Sequence, residues 1–263
     1  MGSTCNTVKV PSKLMMILEA RVLLEASVLI ILKPLMGLIP RGDNHPVLIF
    51  PGFGTGDWAT ALLRKFLKKK GYAVHGWNLG MNLGYRKNLE NQLEKQLLEI
   101  SKRYNRKVSL IGWSLGGVYA RELAKAHPEH VRFVITLGSP FLKIKEGVRT
   151  RKLYELISGH RLDDMEPGMA SQMQKPPPVP TTSIFSSSDG LVARQCCIQK
   201  ETRTSENIRI PGCSHVGLVS NPLVYWVIAN RLAQPEKNWR HYNRKEMKKA
   251  IRAKSFDEGY LAA

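Results

Sequence analysis

The hydrophobic positions along most of the chain alternate between short apolar runs and longer amphipathic segments. Strands are predicted at residues 45–50, 72–77, 108–111, 131–137, 181–186 and 207–210, and those at 45–50, 108–111 and 131–137 are mainly apolar. Apolar residues recur at helical spacing in residues 58–70, 88–104, 115–126 and 222–232. Strands that alternate with helices are typical of a parallel sheet covered by helices on both faces. We therefore expect an α/β fold with about six mostly parallel strands.

One long segment interrupts this alternation between the fourth and fifth predicted strands. Residues 141–179 contain one predicted helix, at 148–158, and then a stretch rich in methionine and proline. An insertion at this point would lie near the carboxyl ends of the strands, where open α/β sheets bind ligands. We interpret the segment as a small cap over that edge, and a disordered linker is the alternative.

The first 44 residues form a mostly apolar arm before the first predicted strand. Glu19, Arg21 and Glu25 interrupt its apolar sequence, which argues against a transmembrane helix and against the apolar core of a signal peptide. Arg21 and Glu25 are four residues apart and can pair on one helix face. We expect a helix packed on the main domain, and a membrane-facing or substrate-entry arm is the alternative.

The chain after residue 232 is polar and basic. We divide the sequence into an apolar helical arm (1–44), an α/β domain (45–232) and a basic tail (233–263). A helix predicted at 244–254 would place Met247, Ala250 and Ile251 on one narrow apolar face among basic side chains. Such a helix suits an anionic membrane surface, and a solvated tail is the alternative.

Composition narrows the classes of partner and site. The 263 residues include 40 basic and 21 acidic ones, for a net charge of +19, which favours anionic partners. No nucleic-acid-binding motif accompanies this charge, so no specific nucleic-acid partner is predicted. We expect no metal and no cofactor, and a cytoplasmic or peripherally membrane-associated protein.

The four cysteines do not form a recognisable framework. Cys5, Cys196, Cys197 and Cys213 are too few for a disulfide scaffold and lack the spacing of metal ligands. Cys196 and Cys197 are adjacent, so a disulfide between those two is disfavoured. A disulfide from Cys213 to either of them stays open.

The third predicted strand is followed directly by a motif that is typical of a catalytic serine. Gly112-Trp113-Ser114-Leu115-Gly116 fits G-x-S-x-G between a strand and a helix, the context of a nucleophile elbow. The glycines leave room for a tight turn that presents the serine hydroxyl. The Leu115 amide would begin the helix, where a developing oxyanion is stabilised. The motif predicts Ser114 as a nucleophile.

A serine nucleophile requires a base, and the base requires an orienting carboxylate. Asp189 follows the fifth predicted strand and His215 follows the sixth. Both would lie at the same edge of a parallel sheet as Ser114. Asp163 and Asp164 are the rival acids in the cap segment, and we interpret Asp57 as a helix-capping residue.

The sequence resembles the α/β-hydrolase superfamily, in its lipase/esterase branch, over residues 45–232. The motifs that carry the resemblance are Pro51-Gly52-Phe53-Gly54, Gly112-Trp113-Ser114-Leu115-Gly116-Gly117, Leu137-Gly138-Ser139-Pro140, Asp189-Gly190 and Ser214-His215-Val216-Gly217-Leu218. The resemblance implies an α/β-hydrolase fold with Ser114 as nucleophile, His215 as general base and Asp189 as orienter. It also implies an oxyanion hole from the backbone amides of Phe53 and Leu115.

The same resemblance implies an esterase or lipase that works through an acyl-enzyme on Ser114. An acyltransferase with the same triad and a non-catalytic binding module remain alternatives. A small-molecule or lipid ester is the expected substrate. Trp58, Trp113 and Val216 are candidates to line its pocket, and plain core packing is their alternative role. Pro51 differs from the histidine that many lipases carry before the oxyanion glycine, which a backbone donor should tolerate.

Overall fold

The computed structural model describes residues 8–22, 25, 37, 39–164 and 167–245. Its sheet has six strands in the order β2-β1-β3-β4-β5-β6, and every neighbouring pair is parallel. The strands are β1 Pro46–Phe50, β2 Ala73–His75, β3 Val108–Trp113, β4 Val131–Leu137, β5 Thr181–Phe185 and β6 Ser205–Arg209. The predicted α/β fold with about six parallel strands is confirmed.

Helices connect the strands and cover the sheet. The α-helices are α1 Lys13–Ile17, α2 Ala61–Lys69, α3 Leu89–Tyr104, α4 Leu115–Ala126, α5 Ile144–Gly147, α6 Arg151–Ser158, α7 Pro167–Gln174 and α8 Pro222–Leu232. Short 3-10 turns are formed by Leu18–Arg21, Asp57–Thr60, Leu162–Asp164, Arg194–Cys197 and Val216–Val219. The insertion between β4 and β5 thus carries α5, α6 and α7 in place of a single helix.

The alternation of side chains along β1 divides the core into two layers. Val47 and Ile49 face a cluster that includes Leu63 of α2 and Val224 of α8. Leu48 and Phe50 face the opposite cluster, formed mainly with α3 and α4. Because every residue of β1 is buried, the strand reads as a continuous apolar run. This burial on both faces is the reason that the short apolar runs predicted strands correctly.

The helix-capping role predicted for Asp57 is wrong. Asp57 is the first residue of its 3-10 turn, which begins after Gly56 and has no side-chain capping bond. The Asp57 carboxylate accepts hydrogen bonds from the backbone N–H groups of Trp77 and Asn78, at 2.9 and 2.8 Å. These amides follow β2 and come within reach only when β2 pairs with β1. Tertiary contact therefore takes the carboxylate away from its own helix.

Parts of both terminal segments pack on the domain. Within the arm, Arg21 and Glu25 form the predicted pair at 3.1 Å. After α8, Tyr242 donates its backbone N–H to Glu206 Oε2 at 2.6 Å. Most of the predicted helix at 244–254 lies outside the described residues. No helix among the described residues has the length and apolarity needed to cross a bilayer.

Candidate active site

Ser114 occupies the turn between β3 and α4 in a strained backbone conformation. Its φ of 53° and ψ of −123° lie outside the regions that most side-chain-bearing residues adopt. A Cβ on Gly112 would lie 2.3 Å from the Gly116 carbonyl oxygen, and a Cβ on Gly116 would lie 2.5 Å from the Phe50 carbonyl oxygen. Glycine at both positions therefore allows the turn to close on itself and to pack against the end of β1. Ser114 N–H donates to the Leu137 carbonyl at 2.8 Å, which joins the turn to β4.

Asp189 and His215 form a buried pair at the carboxyl ends of β5 and β6. Asp189 Oδ2 lies 2.6 Å from His215 Nδ1, and the two side chains are only 2% and 3% exposed. Asp189 Oδ1 accepts the N–H groups of Leu191 and Val192 at 2.8 and 2.7 Å. With the carboxylate so held, Nδ1 of the imidazole carries a proton and Nε2 is left as the acceptor. A base of this tautomer is what a serine nucleophile needs.

The rival acids occupy a different position. Asp163 forms an ion pair with Arg151 at 2.6 Å within the cap segment. Asp164 lies in the 3-10 turn Leu162–Asp164 and is exposed. The structure therefore brings Asp189, and not Asp163, into contact with His215.

The pKa of His215 is raised above its ordinary value of 6.5. Burial by itself lowers the pKa, because it disfavours the imidazolium. The negative charge of Asp189, its hydrogen bond to the ring and the charge of Glu19 together outweigh that effect. The site thus stabilises a positive charge on the imidazole, which is the charge that a general base acquires when it takes a proton.

His215 lies beside the residue that precedes Ser114. The Trp113 indole donates its Nε1–H to the His215 carbonyl at 3.1 Å, and the two rings are 5.6 Å apart. Gly138 has a φ of 58°, and a Cβ there would approach His215 Nδ1 to 3.1 Å. Among the hydrogen bonds of the described residues, none joins Ser114 Oγ to the imidazole. Such bonds are often long without substrate and shorten in the reacting complex.

Two backbone amides beside Ser114 are available to a ligand. Neither the N–H of Phe53 nor that of Leu115 donates a hydrogen bond within the described part of the protein. Phe53, Ser114 and Leu115 all line the same cavity. These are the two amides that the sequence resemblance assigned to an oxyanion hole.

Asn82 holds the loop that carries Phe53, a role that sequence analysis missed. Its side-chain amide donates to the Pro51 carbonyl at 2.9 Å. Its backbone exchanges hydrogen bonds with Thr55 and Gly54, each of 2.7 Å. Asn82 is almost fully buried at 1% exposure. Nothing in the local sequence distinguishes it from the other turn residues of 78–86, because its partners lie about 30 residues earlier in the chain.

A cavity of about 820 Å³ opens at Ser114. Its floor is one face of α4, its opposite wall is α3, and residues of the cap segment cover it. The apolar lining consists mainly of Leu89, Leu93, Leu115, Val118, Leu123, Pro140, Leu162 and Met173. The twelve residues of α4 span about 18 Å at a rise of about 1.5 Å per residue. The cavity follows α4 from Ser114 to Ala126 and can therefore take an extended apolar chain.

The structure brings none of the predicted pocket residues Trp58, Trp113 and Val216 into this cavity. The Trp58 side chain is 70% exposed. Trp113 is buried beside His215, and Val216 packs against the core cluster under α8. Trp113 and Val216 belong to the core layer of Val47 and Ile49, on the opposite face of the sheet from the layer that α3 and α4 form. Phe53, whose backbone amide the resemblance assigns to the oxyanion hole, does line the cavity.

The described cysteines form neither a disulfide nor a metal site. Cys196, Cys197 and Cys213 are buried free thiols, so neither disulfide that the sequence left open is formed. Burial raises the pKa of Cys196 to about 12, and it raises that of Cys197 as well. Such thiols are poor nucleophiles at neutral pH. Among the described residues, no group of histidine, cysteine and acidic side chains could hold a metal ion.

Comparison with known proteins agrees with this architecture. Residues 46–175 match the family model of palmitoyl protein thioesterase. No curated protein matches the chain significantly in sequence.

Solved structures share the fold at low sequence identity. Lipase B of Aspergillus fumigatus is 19% identical with a TM-score of 0.60, over 73% of this chain and 53% of that chain. Lipase BlEst2 of Bacillus licheniformis is 17% identical with a TM-score of 0.55, over 73% of this chain and 94% of that chain. An α/β-hydrolase enzyme from the sediment metagenome of the Mar Chica lagoon is 21% identical with a TM-score of 0.50, over 72% and 90%. With its six parallel strands and its serine at the turn after β3, the chain has the α/β-hydrolase fold.

Proposed function

We propose that the protein is a serine hydrolase that cleaves carboxylic esters through an acyl-enzyme on Ser114. The observation that carries this proposal is the strained Ser114, which opens on an apolar cavity beside the buried Asp189–His215 pair. The family match and the lipase structures support a carboxylic ester hydrolase. The same geometry disfavours a non-catalytic binding module, which has no use for a histidine held in one tautomer.

The same groups act in both halves of the reaction, acylation and deacylation. Ser114 Oγ attacks the ester carbonyl while His215 Nε2 takes the hydroxyl proton, and Asp189 holds the imidazolium through Nδ1–H. The amides of Phe53 and Leu115 bind the oxyanion. The imidazolium then donates its proton to the departing alcohol, which leaves the acyl group on Ser114. Water attacks the acyl-enzyme with His215 as base, which releases the acid and restores the serine.

The test of this mechanism is active-site labelling combined with turnover. A fluorophosphonate probe should label the wild-type protein at Ser114, and Ser114→Ala should lose the label and roughly 10⁴-fold or more in kcat on a nitrophenyl ester. Ser171→Ala changes an exposed serine of the cap segment and should keep both. Wild-type turnover by a folded Ser114→Ala protein would refute the mechanism.

The cavity supports a medium or long acyl chain as the part of the substrate that the enzyme recognises. An extended chain attached to Ser114 would lie between α3 and α4, against Leu93, Val118 and Leu123. Hydrophobic burial is worth about 0.8 kcal/mol per methylene, so kcat/KM should rise along the series butyrate, octanoate, laurate and palmitate. Measurement below and above the solubility limit of each ester separates an esterase from a lipase.

A thioester of the same acyl chain is a second candidate substrate. The match of residues 46–175 to palmitoyl protein thioesterase favours it. Both substrates would pass through the same acyl-enzyme, so they differ in the leaving group alone. Comparison of the palmitoyl oxoester with the palmitoyl thioester, at equal acyl chain, decides between them. Addition of a competing alcohol tests acyl transfer, because a transferase would yield the new ester in place of the free acid.

An anionic membrane surface is the proposed partner beyond the substrate. The arm exposes the apolar side chains of Leu14 and Ile17, and the cap segment exposes those of Leu153 and Leu156. Arg149 of the cap donates to the Pro11 carbonyl of the arm, which keeps the two segments adjacent. The net charge of +19 adds attraction to anionic lipid.

Vesicle co-sedimentation tests this partner. Binding should be stronger to anionic than to neutral vesicles and should weaken with salt. A chain that ends at Lys245 keeps the contacts of Tyr242 with the domain and removes most of the basic tail. Equal binding by both chains would assign the interaction to the arm and cap, and binding that needs the tail would assign it to residues 246–263.

A further inference from the structure

Glu19 connects the arm to both loops that carry the Asp189–His215 pair. It lies in the 3-10 turn Leu18–Arg21 and is only 8% exposed. Its Oε1 accepts the backbone N–H of Gly190 at 2.7 Å and that of His215 at 3.0 Å. Its Oε2 accepts the backbone N–H of Val216 at 3.0 Å. Since Gly190 directly follows Asp189, one carboxylate joins the loop of the acid to the loop of the histidine.

Neighbouring contacts hold the arm in this position. Arg21 donates to the Ser188 carbonyl at 2.6 Å. Glu25 accepts the Ser214 N–H at 2.9 Å, one residue before the histidine. A Cβ on Gly190 would lie 2.3 Å from the Met15 carbonyl oxygen, so the absence of a side chain there allows the arm to approach. The arm thus contacts Ser188 and Gly190, which lie on each side of Asp189, and the residues around His215.

Burial of a carboxylate is costly unless hydrogen bonds or opposite charge compensate it. Glu19 is compensated here by three backbone N–H groups, which bring no full positive charge. A second negative charge therefore remains near the imidazole, in addition to Asp189. An apolar side chain in the arm could pack against the domain as well, but it would supply neither the link between the loops nor the charge.

We propose that Glu19 is a positioning residue of the hydrolase, which fixes the loops of Asp189 and His215 relative to each other and stabilises the imidazolium formed during the reaction. The proposal rests on the proposed function. Glu19 does not touch the substrate, and it acts through the backbone and the field at His215. This role makes the arm a part of the catalytic apparatus, although the arm precedes the residues that the family model matches.

The charges around His215 come from two segments. Asp189 contacts the ring from the loop after β5, and Glu19 faces the backbone from the arm. Arg21 and Glu25 pair with each other beside Ser214. Burial lowers the pKa of His215, while the charges of Asp189 and Glu19 raise it. Loss of the Glu19 charge should therefore lower the pKa of His215.

The experiment compares four variants of the full chain on a soluble nitrophenyl ester. Glu19→Gln keeps one acceptor oxygen and removes the charge, Glu19→Ala removes both, and Glu19→Asp keeps the charge on a shorter side chain. We expect kcat to fall roughly 10-fold in Glu19→Gln and about 100-fold in Glu19→Ala, with little change in KM. Glu99→Gln, which removes an exposed charge on α3, should behave as wild type.

The pH profile distinguishes positioning from a merely structural contribution. In Glu19→Gln the acid limb of kcat/KM should move to lower pH, whereas Glu19→Asp should keep the limb near its wild-type position. Titration of the His215 ring by NMR gives the same comparison without turnover. A folded Glu19→Gln protein with wild-type kcat, or with an unmoved histidine titration, overturns the proposal. If wild type neither turns over esters nor labels at Ser114, the proposed function fails, and the NMR titration still decides the role of Glu19.

Discussion

Asp189→Asn is the substitution that most directly tests how the site sets the tautomer of His215. Asp189 Oδ1 accepts two backbone N–H groups, from Leu191 and Val192, while Oδ2 faces His215 Nδ1. An asparagine can satisfy the two amides only with its carbonyl oxygen at the Oδ1 position. Its NH₂ group then faces Nδ1 and donates to it. The histidine must place its proton on Nε2, which can no longer accept the proton of Ser114.

The size of the effect follows from this tautomer. A wrong histidine tautomer in a serine triad costs roughly 10⁴-fold in kcat, which corresponds to about 5.4 kcal/mol of transition-state stabilisation. Because both amides keep their acceptor, the thermal midpoint should move little. The loss should therefore appear in kcat at nearly unchanged stability.

The assay is steady-state hydrolysis of a nitrophenyl ester at neutral pH, with thermal melting of each protein as the check on folding. Asp163→Asn is the matched control, because Asp163 pairs with Arg151 and its side chain is 53% exposed. It should retain wild-type kcat. A folded Asp189→Asn protein within 10-fold of wild type would refute the assignment of roles to the pair.

Two further predictions concern the base and the turn. As the pH falls, the kcat/KM of the wild-type protein should decrease with a midpoint above pH 6.5. The reason is that the pKa of His215 is raised, so the imidazole is already protonated at pH 6.5 and accepts no proton from Ser114. A midpoint clearly below 6.5 in a pH–rate profile would contradict this electrostatic account. Gly116→Ala should destabilise the fold by about 2 kcal/mol or more, since its Cβ would lie 2.5 Å from the Phe50 carbonyl oxygen. In the same melting experiment Gly168→Ala, whose Cβ meets nothing within 4 Å, should leave the midpoint nearly unchanged.

The arm changes the way in which the domain should be trimmed or engineered. Removal of residues before β1 would leave the backbone amides of Gly190, His215 and Val216 without their acceptor. Unsatisfied buried amides cost about 1–3 kcal/mol each, so such a chain should lose stability as well as activity. We therefore expect that the α/β domain needs the arm for its stability.

The first residues of the basic tail also form contacts that stabilise the domain. Arg231 and Glu206 form a buried ion pair at 3.1 Å, and Tyr242 donates its N–H to the same carboxylate group. Removal of one partner from a buried pair is strongly destabilising, because it leaves a charge without compensation. Residues up to about 244 therefore stabilise the domain, although the sequence after residue 232 looks like a uniform basic tail.

The sequence by itself determined the parts of this protein that depend on local physics. Strands that are buried on both faces are mainly apolar, so β1, β3 and β4 could be predicted directly from the sequence. The turn at Ser114 requires Gly112 for a steric reason that acts within a few residues, because a Cβ there would meet the backbone of Gly116 and Gly117. Gly116 is required by the carbonyl groups of Phe50 and Pro51, which the pairing of β1 with β3 brings close. The order of serine, acid and histidine then followed from the carboxyl ends of successive strands, which meet at one edge of a parallel sheet.

Only the tertiary structure decided which distant segments meet at that edge. The cavity lies between α3, α4 and the cap, and Val118 and Leu123 line it. Trp58 lies outside the cavity and is exposed to solvent. Glu19 reaches His215 across 196 residues of sequence, and its place in an apolar arm showed only that the arm was interrupted. The sequence shows that a residue carries a carboxylate, but the tertiary packing determines which groups that carboxylate contacts. The three backbone amides that Glu19 binds come together only after β5 and β6 have joined the sheet.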